Sequence, residues 1–417
     1  MHIKTILNRR HPLKRFVYED SKMTTDSELI VTIRPRKNSK PLCSRCGLRS
    51  PGYDTLEERL FQFVPILGMP VFFSYSMRRV ECSGCGIVVE QVPWADGKHR
   101  NCKVFFAFLA SWAEDLPWKR VAERFQTSWQ TVYKGVDWVV SYGLKHRDLE
   151  GVTAIGVDEV QYRKGQNYFT VVYQLDSHCR RLLWVGKDRT EEAFAIFFSD
   201  MERLLPGFCA SIQFVCSDMW KAYLNAIRTA IPQALHVLDR FHIRGKFSDA
   251  LDKVRRQEVA RLKAEGKDPV LGKSRWCFLK NPKNLTQNQK VRLKDLMQMN
   301  LRTVKAYILT DEFEHFWTYN SVTWAKKFLK NWTFRTMRSK IEPMKSVARM
   351  LRKHEELILN WFRAKKEINN GITEGLNSNV KLAFRKARGF RSVDIAKVAL
   401  FHQMGQLPKP EFTCQLW

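Results

Sequence analysis

Apolar and polar positions alternate from residue 29 to 35, the period-two signature of a short strand, and strand-like runs such as 70–75 recur between Pro41 and Pro93. From 104 to 144 the period changes to that of helices. Phe105, Phe108, Leu109 and Trp112, then Val121, Ala122 and Phe125, then Val132, Val136 and Val139 mark the apolar faces of three of them. At Gly151 the pattern changes again. TAIGVDEV, YFTVVYQLD and RLLWVGKD are rich in β-branched and aromatic residues and read as three consecutive antiparallel strands. A helical stretch over 190–205, a buried strand FVCSD, a helix over 220–231, a strand ALHVLD and a helix from Phe241 follow, so the predicted order is βββαβαβα. Between 245 and 368 only charged helical segments are found.

These changes divide the chain into an N-terminal segment (1–40), a small β-rich module (41–98), a helical module (102–146), the first part of an α/β core (151–244), an all-helical insertion (245–368), a C-terminal helix region returning to the core (369–404) and an extended tail (405–417). The expected class is multidomain α+β. No internal repeat or low-complexity tract interrupts it.

Charge narrows the partner. The chain has 417 residues with 71 Lys plus Arg against 42 Asp plus Glu, a formal net charge of +29. Residues 321–400 alone hold 19 Lys or Arg against 6 Asp or Glu. So large a single-sign excess points to a polyanion, and nucleic acid is the expected partner rather than a membrane surface. No apolar run approaches the roughly 18 residues of a membrane span, and MHIKTILNRRHPLKRF lacks the apolar core of a secretion signal. A cytoplasmic protein is expected.

Cys43-x-x-Cys46 and Cys82-x-x-Cys85 lie 35 residues apart, each pair followed by glycine, as CSRCG and CSGCG. A two-residue gap lets both thiolates of a pair reach one ion, four thiolates satisfy tetrahedral zinc, and glycine suits the tight knuckle. A redox dithiol has no need of a duplicate, and core cysteines do not repeat with glycine. A structural Zn²⁺ is therefore the expected cofactor of the β module. The other six cysteines are scattered, which argues against a disulfide framework.

The segment 116–139, LPWKRVAERFQTSWQTVYKGVDWV, has the layout of a helix-turn-helix. Ser128 is placed to cap the second helix, whose first turns would present Trp129, Gln130 and Lys134 to a DNA groove. The plainer alternative is a helical linker.

Two predicted strands end in acids, IGVDE and FVCSD, and the strand order sets the first beside the fourth, so Asp158 and Asp218 would be neighbours. A carboxylate at the end of a buried apolar strand is costly unless a cation occupies the pocket. Glu159 would face the opposite side of the strand. Downstream, Glu374, Asn377, Lys381 and Arg385 share one face of a helix in NNGITEGLNSNVKLAFRKARGF, an acid followed by an amide and two cations. Singly, each acid has an ordinary explanation as a cap or a first-turn residue.

Taken together, the two Cys pairs, IGVDEVQYRKG, SDMWKAY, VLDRFHI and ITEGLNSNVKLAFRKARGFRS resemble the ISL3 family of insertion-sequence transposases, within the DDE transposase and retroviral-integrase superfamily, over nearly the whole chain. The resemblance implies an RNase H-like catalytic domain with Asp158, Asp218 and Glu374 as its acids. It also implies two Mg²⁺ (or Mn²⁺) ions, with terminal inverted repeats and target DNA as partners in the bacterial nucleoid. The two ends must be paired, so at least a dimer is expected on DNA. Lys381, Arg385, Lys386, Arg388 and Arg391 would neutralise the backbone near the cut. Asp239 and His242 have a structural or DNA-contacting accessory role in preference to a further metal site with His236. The rival readings are a non-catalytic zinc and helix-turn-helix regulator, and a nuclease or resolvase on the same fold.

Overall fold

A computed structural model describes residues 3–411, apart from 26, 98, 164, 166, 366–370 and 388, with the side chains of 163, 371, 372 and 374 also outside the description. The chain divides into two compact units: Met1–Asp148 with Leu382–Trp417, and Leu149–Lys381.

In the first unit, helix α1 (Ile3–Arg10) precedes strands β1 (Phe16–Met23), β2 (Leu29–Pro35), β3 (Gly52–Ile66), β4 (Met69–Cys82) and β5 (Gly86–Val89). The order β1-β2-β4-β3, with β5 on β4, makes one sheet. Its alternation is physical: Leu29, Val31 and Ile33 of β2 and Val71, Phe73, Tyr75 and Met77 of β4 turn inward. Because β2 pairs in parallel with β4, from Leu29↔Val71 to Thr32↔Ser74, the first 40 residues supply two strands to the sheet that carries the cysteines. Trp94 closes it, meeting the rings of Phe16, Phe61 and Tyr75 edge-on at 5.0, 6.0 and 5.3 Å. Aromatic edges packed on one buried indole add specific geometry to area burial. Helices α2 (Lys103–Asp115), α3 (Trp118–Arg124) and α4 (Trp129–His146) follow. The core stripe of α4 is Val132, Val136, Val139 and Val140.

The second unit begins with β6 (Ala154–Arg163), β7 (Asn167–Gln174) and β8 (Leu182–Lys187), then α5 (Glu191–Leu204), the single turn α6 (Phe208–Ser211), β9 (Phe214–Ser217), α7 (Lys221–Ala230) and β10 (Leu235–Leu238). The strands order as β10-β9-β6-β7-β8. The first three run parallel and the last two antiparallel to their neighbours. Helices α5 and α7 bury Phe194, Phe197, Phe198, Met201, Tyr223 and Ile227 against one face. Residues 169–174 of β7 are buried without alternation, the pattern of a strand covered on both faces.

A helical block follows: α8 (Arg240–Ala264), α9 (Arg275–Leu279), α10 (Gln287–Met297), α11 (Arg302–Glu314), α12 (Val322–Met337), α13 (Glu342–Lys353) and α14 (Glu355–Arg363). Its core is aromatic, built on Phe247, Phe313, Phe316 and Trp332. Buried Glu258 of α8 accepts from the backbone N–H of Arg302 (2.8 Å) and Thr303 (2.7 Å), so it caps the start of α11 from a neighbouring helix. Asn360 of α14 donates to the His236 carbonyl at 2.8 Å, anchoring the block to β10. Helix α15 (Gly371–Ala387) then crosses the division between units, and α16 (Val393–Met404) packs on α4 in the first. Among the described residues no helix is long and apolar enough to cross a membrane.

Candidate functional site

The parallel registers decide where the candidate acids stand. Ala154↔Phe214, Ile155↔Val215 and Gly156↔Cys216 align β6 with β9, and Val237↔Cys216 and Leu238↔Ser217 align β10 with β9. Continued by two residues and by one, these registers set Asp158 level with Asp218 and Asp239; the latter two stand just past the ends of β9 and β10, whereas Asp158, expected at the end of its strand, lies inside β6, which runs on to Arg163. The Asp239 N–H extends the ladder, donating to the Ser217 carbonyl at 2.8 Å.

The pocket is electrostatically unbalanced. The Asp158 side chain is only 13% exposed. Burial pushes its carboxyl up to about 6, with Asp239 adding to the rise, although His242, the Glu159 amide and Asn377 oppose it. Burial also raises Asp218, whose Oδ1 accepts from the Trp220 N–H at 2.9 Å. His242 Nε2 lies 3.9 Å from Asp158 Oδ1 and 3.5 Å from Asp239 Oδ2. Asp239 caps α8 by accepting from the Phe241 N–H. Glu159 is engaged elsewhere, by Arg189 at 3.0 and 3.1 Å. His236 is turned to Ser217 Oγ, 2.8 Å away.

Helix α15 meets the same strand. Nδ2 of Asn377 donates to Asp158, and Oδ1 of Asn377 accepts from the Tyr173 hydroxyl at 2.8 Å. One turn earlier, Thr373 packs on Gly156, where a Cβ would come within 3.2 Å of the Thr373 hydroxyl and 2.9 Å of Leu175. A glycine in β6 is what lets the helix approach. Glu374 lies in the turn between these two contacts; its side chain is outside the described residues. Carboxylate oxygens such as those of Asp158 and Asp218 are hard donors of the kind that divalent cations take. Tyr173 and Arg189 carry no periodic or motif signal and were not singled out from the sequence; only long-range contacts reveal them.

In the first unit, the sulfurs of Cys43, Cys46, Cys82 and Cys85 all lie within 4.8 Å of one another. The knuckles close through Gly47 N–H to Cys43 O (2.9 Å) and Cys85 N–H to Cys82 O (3.3 Å), and Gly47 and Gly86 take φ of +74° and +71°. The Gly84 amide, turned to Cys82, pulls that thiol down to about 6. Among the described residues Val80 and Val88 are the aliphatic side chains clustered with them, a small core for the knuckles.

Ser128 caps α4, its hydroxyl accepting from the Thr131 N–H at 3.1 Å. Gln130 and Lys134 are exposed. Trp129 is half-buried, with the Arg391 guanidinium 4.3 Å from its ring centre. Lys386 donates to the Glu114 carbonyl at 3.0 Å, so these two cations are engaged within the first unit. Lys381 and Arg385 are exposed on α15, and Arg388 lies outside the described residues.

The family profile described as "Transposase", of the ISL3 DDE type, matches residues 155–400. The transposase for insertion sequence element IS1001 of Bordetella parapertussis is 30% identical over 354 residues, 84% of this chain and 85% of the relative. The transposase for insertion sequence element IS1557 of Mycobacterium tuberculosis is 26% identical over 408 residues, 91% and 90% of the two chains. A profile that spans all three aligned strands and the helix that meets them, together with relatives matched almost end to end, shows that the chain belongs to the ISL3 family of insertion-sequence transposases.

Proposed function

We propose that this chain binds the terminal inverted repeats of an insertion sequence and cuts and rejoins DNA there, with Asp158, Asp218 and Glu374 as its catalytic acids on an RNase H-like core. The observation that carries the proposal is the level register of Asp158 and Asp218 beneath the turn of α15 that bears Glu374. These acids would hold two Mg²⁺ or Mn²⁺ ions, whose chemistry is to activate an attacking oxygen and to stabilise the leaving 3′ oxygen. The donor set fits: hard oxygens, with an Asp158 carboxyl whose raised pKa marks a pocket short of positive charge.

Within this reading Asn377 holds Asp158 in one orientation, and Asp239 and His242 border the acids as accessory groups. Hydrolysis frees a 3′-OH at the transposon end; that hydroxyl then attacks a target phosphodiester in line, so no covalent protein intermediate forms. The four thiols are a structural Zn²⁺ site. The cysteine module and the α3–α4 pair act as the reader, with Gln130 and Lys134 toward the groove and Trp129 set by Arg391. Lys381, Arg385 and Arg388 supply backbone contacts. Pairing two ends requires at least a dimer on DNA.

The test is a strand-transfer assay with Mg²⁺ and DNA fragments taken from either side of the gene, comparing the parent chain with Asp158→Ala, Asp218→Ala and Glu374→Ala. Loss of cutting and joining with intact end binding is the expected result. Joining by the alanine variants at the parent rate overturns the site, and cleavage without joining identifies a nuclease instead.

A further inference from the structure

Trp220 stands two residues beyond Asp218 with 41% of its surface exposed, yet it is held on several sides. Its backbone N–H donates to Asp218 Oδ1 at 2.9 Å, and its indole Nε1–H donates to the Arg189 carbonyl at 3.0 Å. The Arg189 guanidinium lies 4.7 Å from the Trp220 ring centre and 4.4 Å from that of Tyr168. Glu159, one residue past Asp158, clamps that guanidinium with both oxygens, at 3.0 and 3.1 Å. The middle of β6, the start of β7 and the segments just past β8 and β9 thus cooperate to fix one side chain.

A single exposed aromatic residue is ordinary on a protein surface. A fixed one beside the carboxylates of Asp158 and Asp218 is different, because its orientation has been set before anything binds. Its indole N–H is already used, so the ring offers a ligand a π-face and apolar area instead of a hydrogen bond. Arg189 is paired with Glu159, so the cluster carries no spare charge to capture a phosphate. A flat, polarisable, uncharged partner fits, and on a DNA strand that partner is a base. Inside a duplex the base faces are covered by their neighbours, and an unpaired base offers its faces most freely to the platform.

We propose that Trp220, fixed by Arg189, Glu159 and Tyr168, stacks an unpaired nucleobase next to the cut at a DNA end. The proposal rests on the reading that Asp158 and Asp218 act on DNA. Stacking on an aromatic face tolerates any base, so the platform holds the strand end in place while sequence is read elsewhere.

The test uses the full chain in Ca²⁺, to allow binding without cutting, and two fluorescent probes. One is a blunt duplex. The other is the same duplex with a short single-stranded overhang carrying 2-aminopurine beside the junction. The parent chain is expected to prefer the overhang probe and to quench the 2-aminopurine. Trp220→Leu keeps apolar bulk without a π-face and is expected to lose roughly 5- to 150-fold of overhang affinity at unchanged blunt affinity; Trp220→Phe is expected to retain most of it. No overhang preference in the parent, an unchanged preference and quench in Trp220→Leu, or an equal loss on both probes each overturns the proposal. Trp220-dependent overhang capture by a chain that joins no DNA ends would instead sink the strand-transfer reading and leave the stacking site standing.

Discussion

The amide of Asn377 links Tyr173 to Asp158: Nδ2 donates to the carboxylate and Oδ1 accepts the fully buried tyrosine hydroxyl at 2.8 Å. An ionised carboxylate only accepts, so Asp158 takes the Nδ2 end of the amide and the tyrosine hydroxyl is left to donate to Oδ1. The carboxylate in turn is presented in one orientation, in a pocket where burial alone would favour its protonated form.

Asn377 and Tyr173 are positioning residues, and their removal should lower rate more than DNA affinity. Asn377→Ala is expected to reduce strand cleavage about 10- to 100-fold, the usual range for a group supporting a metal ligand, and Tyr173→Phe by less. Asn377→Asp sets a second negative charge beside Asp158 and should also move the pH profile of cleavage upward. Cleavage rates across pH, set beside end-binding affinity, check this; equal losses of rate and affinity would assign Asn377 to DNA binding.

Three buried histidines should make the fold acid-labile. Burial lowers His11, His236 and His402 from the ordinary 6.5 to about 4. Between those values the unfolded chain binds protons that the folded chain refuses, so their stabilisation is complete above pH 6.5 and is lost as pH falls toward 4. Each shift corresponds to on the order of 3 kcal/mol. Urea unfolding from pH 7.5 to 4.5 should show the loss, and His236→Gln should flatten the slope whatever it does to stability at pH 7.5. A slope identical to the parent's would mean that His236 is protonated in the folded chain.

The four-thiol cluster should carry one zinc per chain in purified protein, measured by elemental analysis. Cys82→Ser should release it and abolish specific end binding, because Val80 and Val88 give the knuckles almost no core of their own. Zinc content untouched by Cys82→Ser would remove the cluster from consideration as the site.

On α4, Gln130→Ala should relax discrimination between the terminal repeat and unrelated DNA. Lys134→Ala should weaken both alike and reduce the slope of log affinity against log salt by about 1. Binding titrations at several salt concentrations separate the two effects. A salt slope unaffected by Lys134→Ala would place that lysine away from the backbone.

Periodicity carried most of the secondary structure. The alternation at 29–35 became β2, the three helical stretches became α2, α3 and α4, and βββαβαβα appears with the single turn α6 as its one addition. The cysteine pairs were equally legible, since a two-residue gap and a following glycine are local requirements of a knuckle. Asp158 and Asp218 were each expected at the end of an apolar strand; Asp218 directly follows β9, whereas β6 continues past Asp158 to Arg163.

Partnerships across the chain were not readable. Nothing in the first 40 residues says that β2 will pair in parallel with β4, and nothing near Arg189 says that it will clamp Glu159 and steady Trp220. Lys386 and Arg391 were expected to neutralise the DNA backbone near the cut, and nothing in their surroundings in the chain says that they contact Glu114 and Trp129. Local patterning tells a residue which face of its own helix or strand it occupies. What that face meets depends on register, helix approach at positions such as Gly156, and side-chain direction, and those are settled only when distant segments pack together.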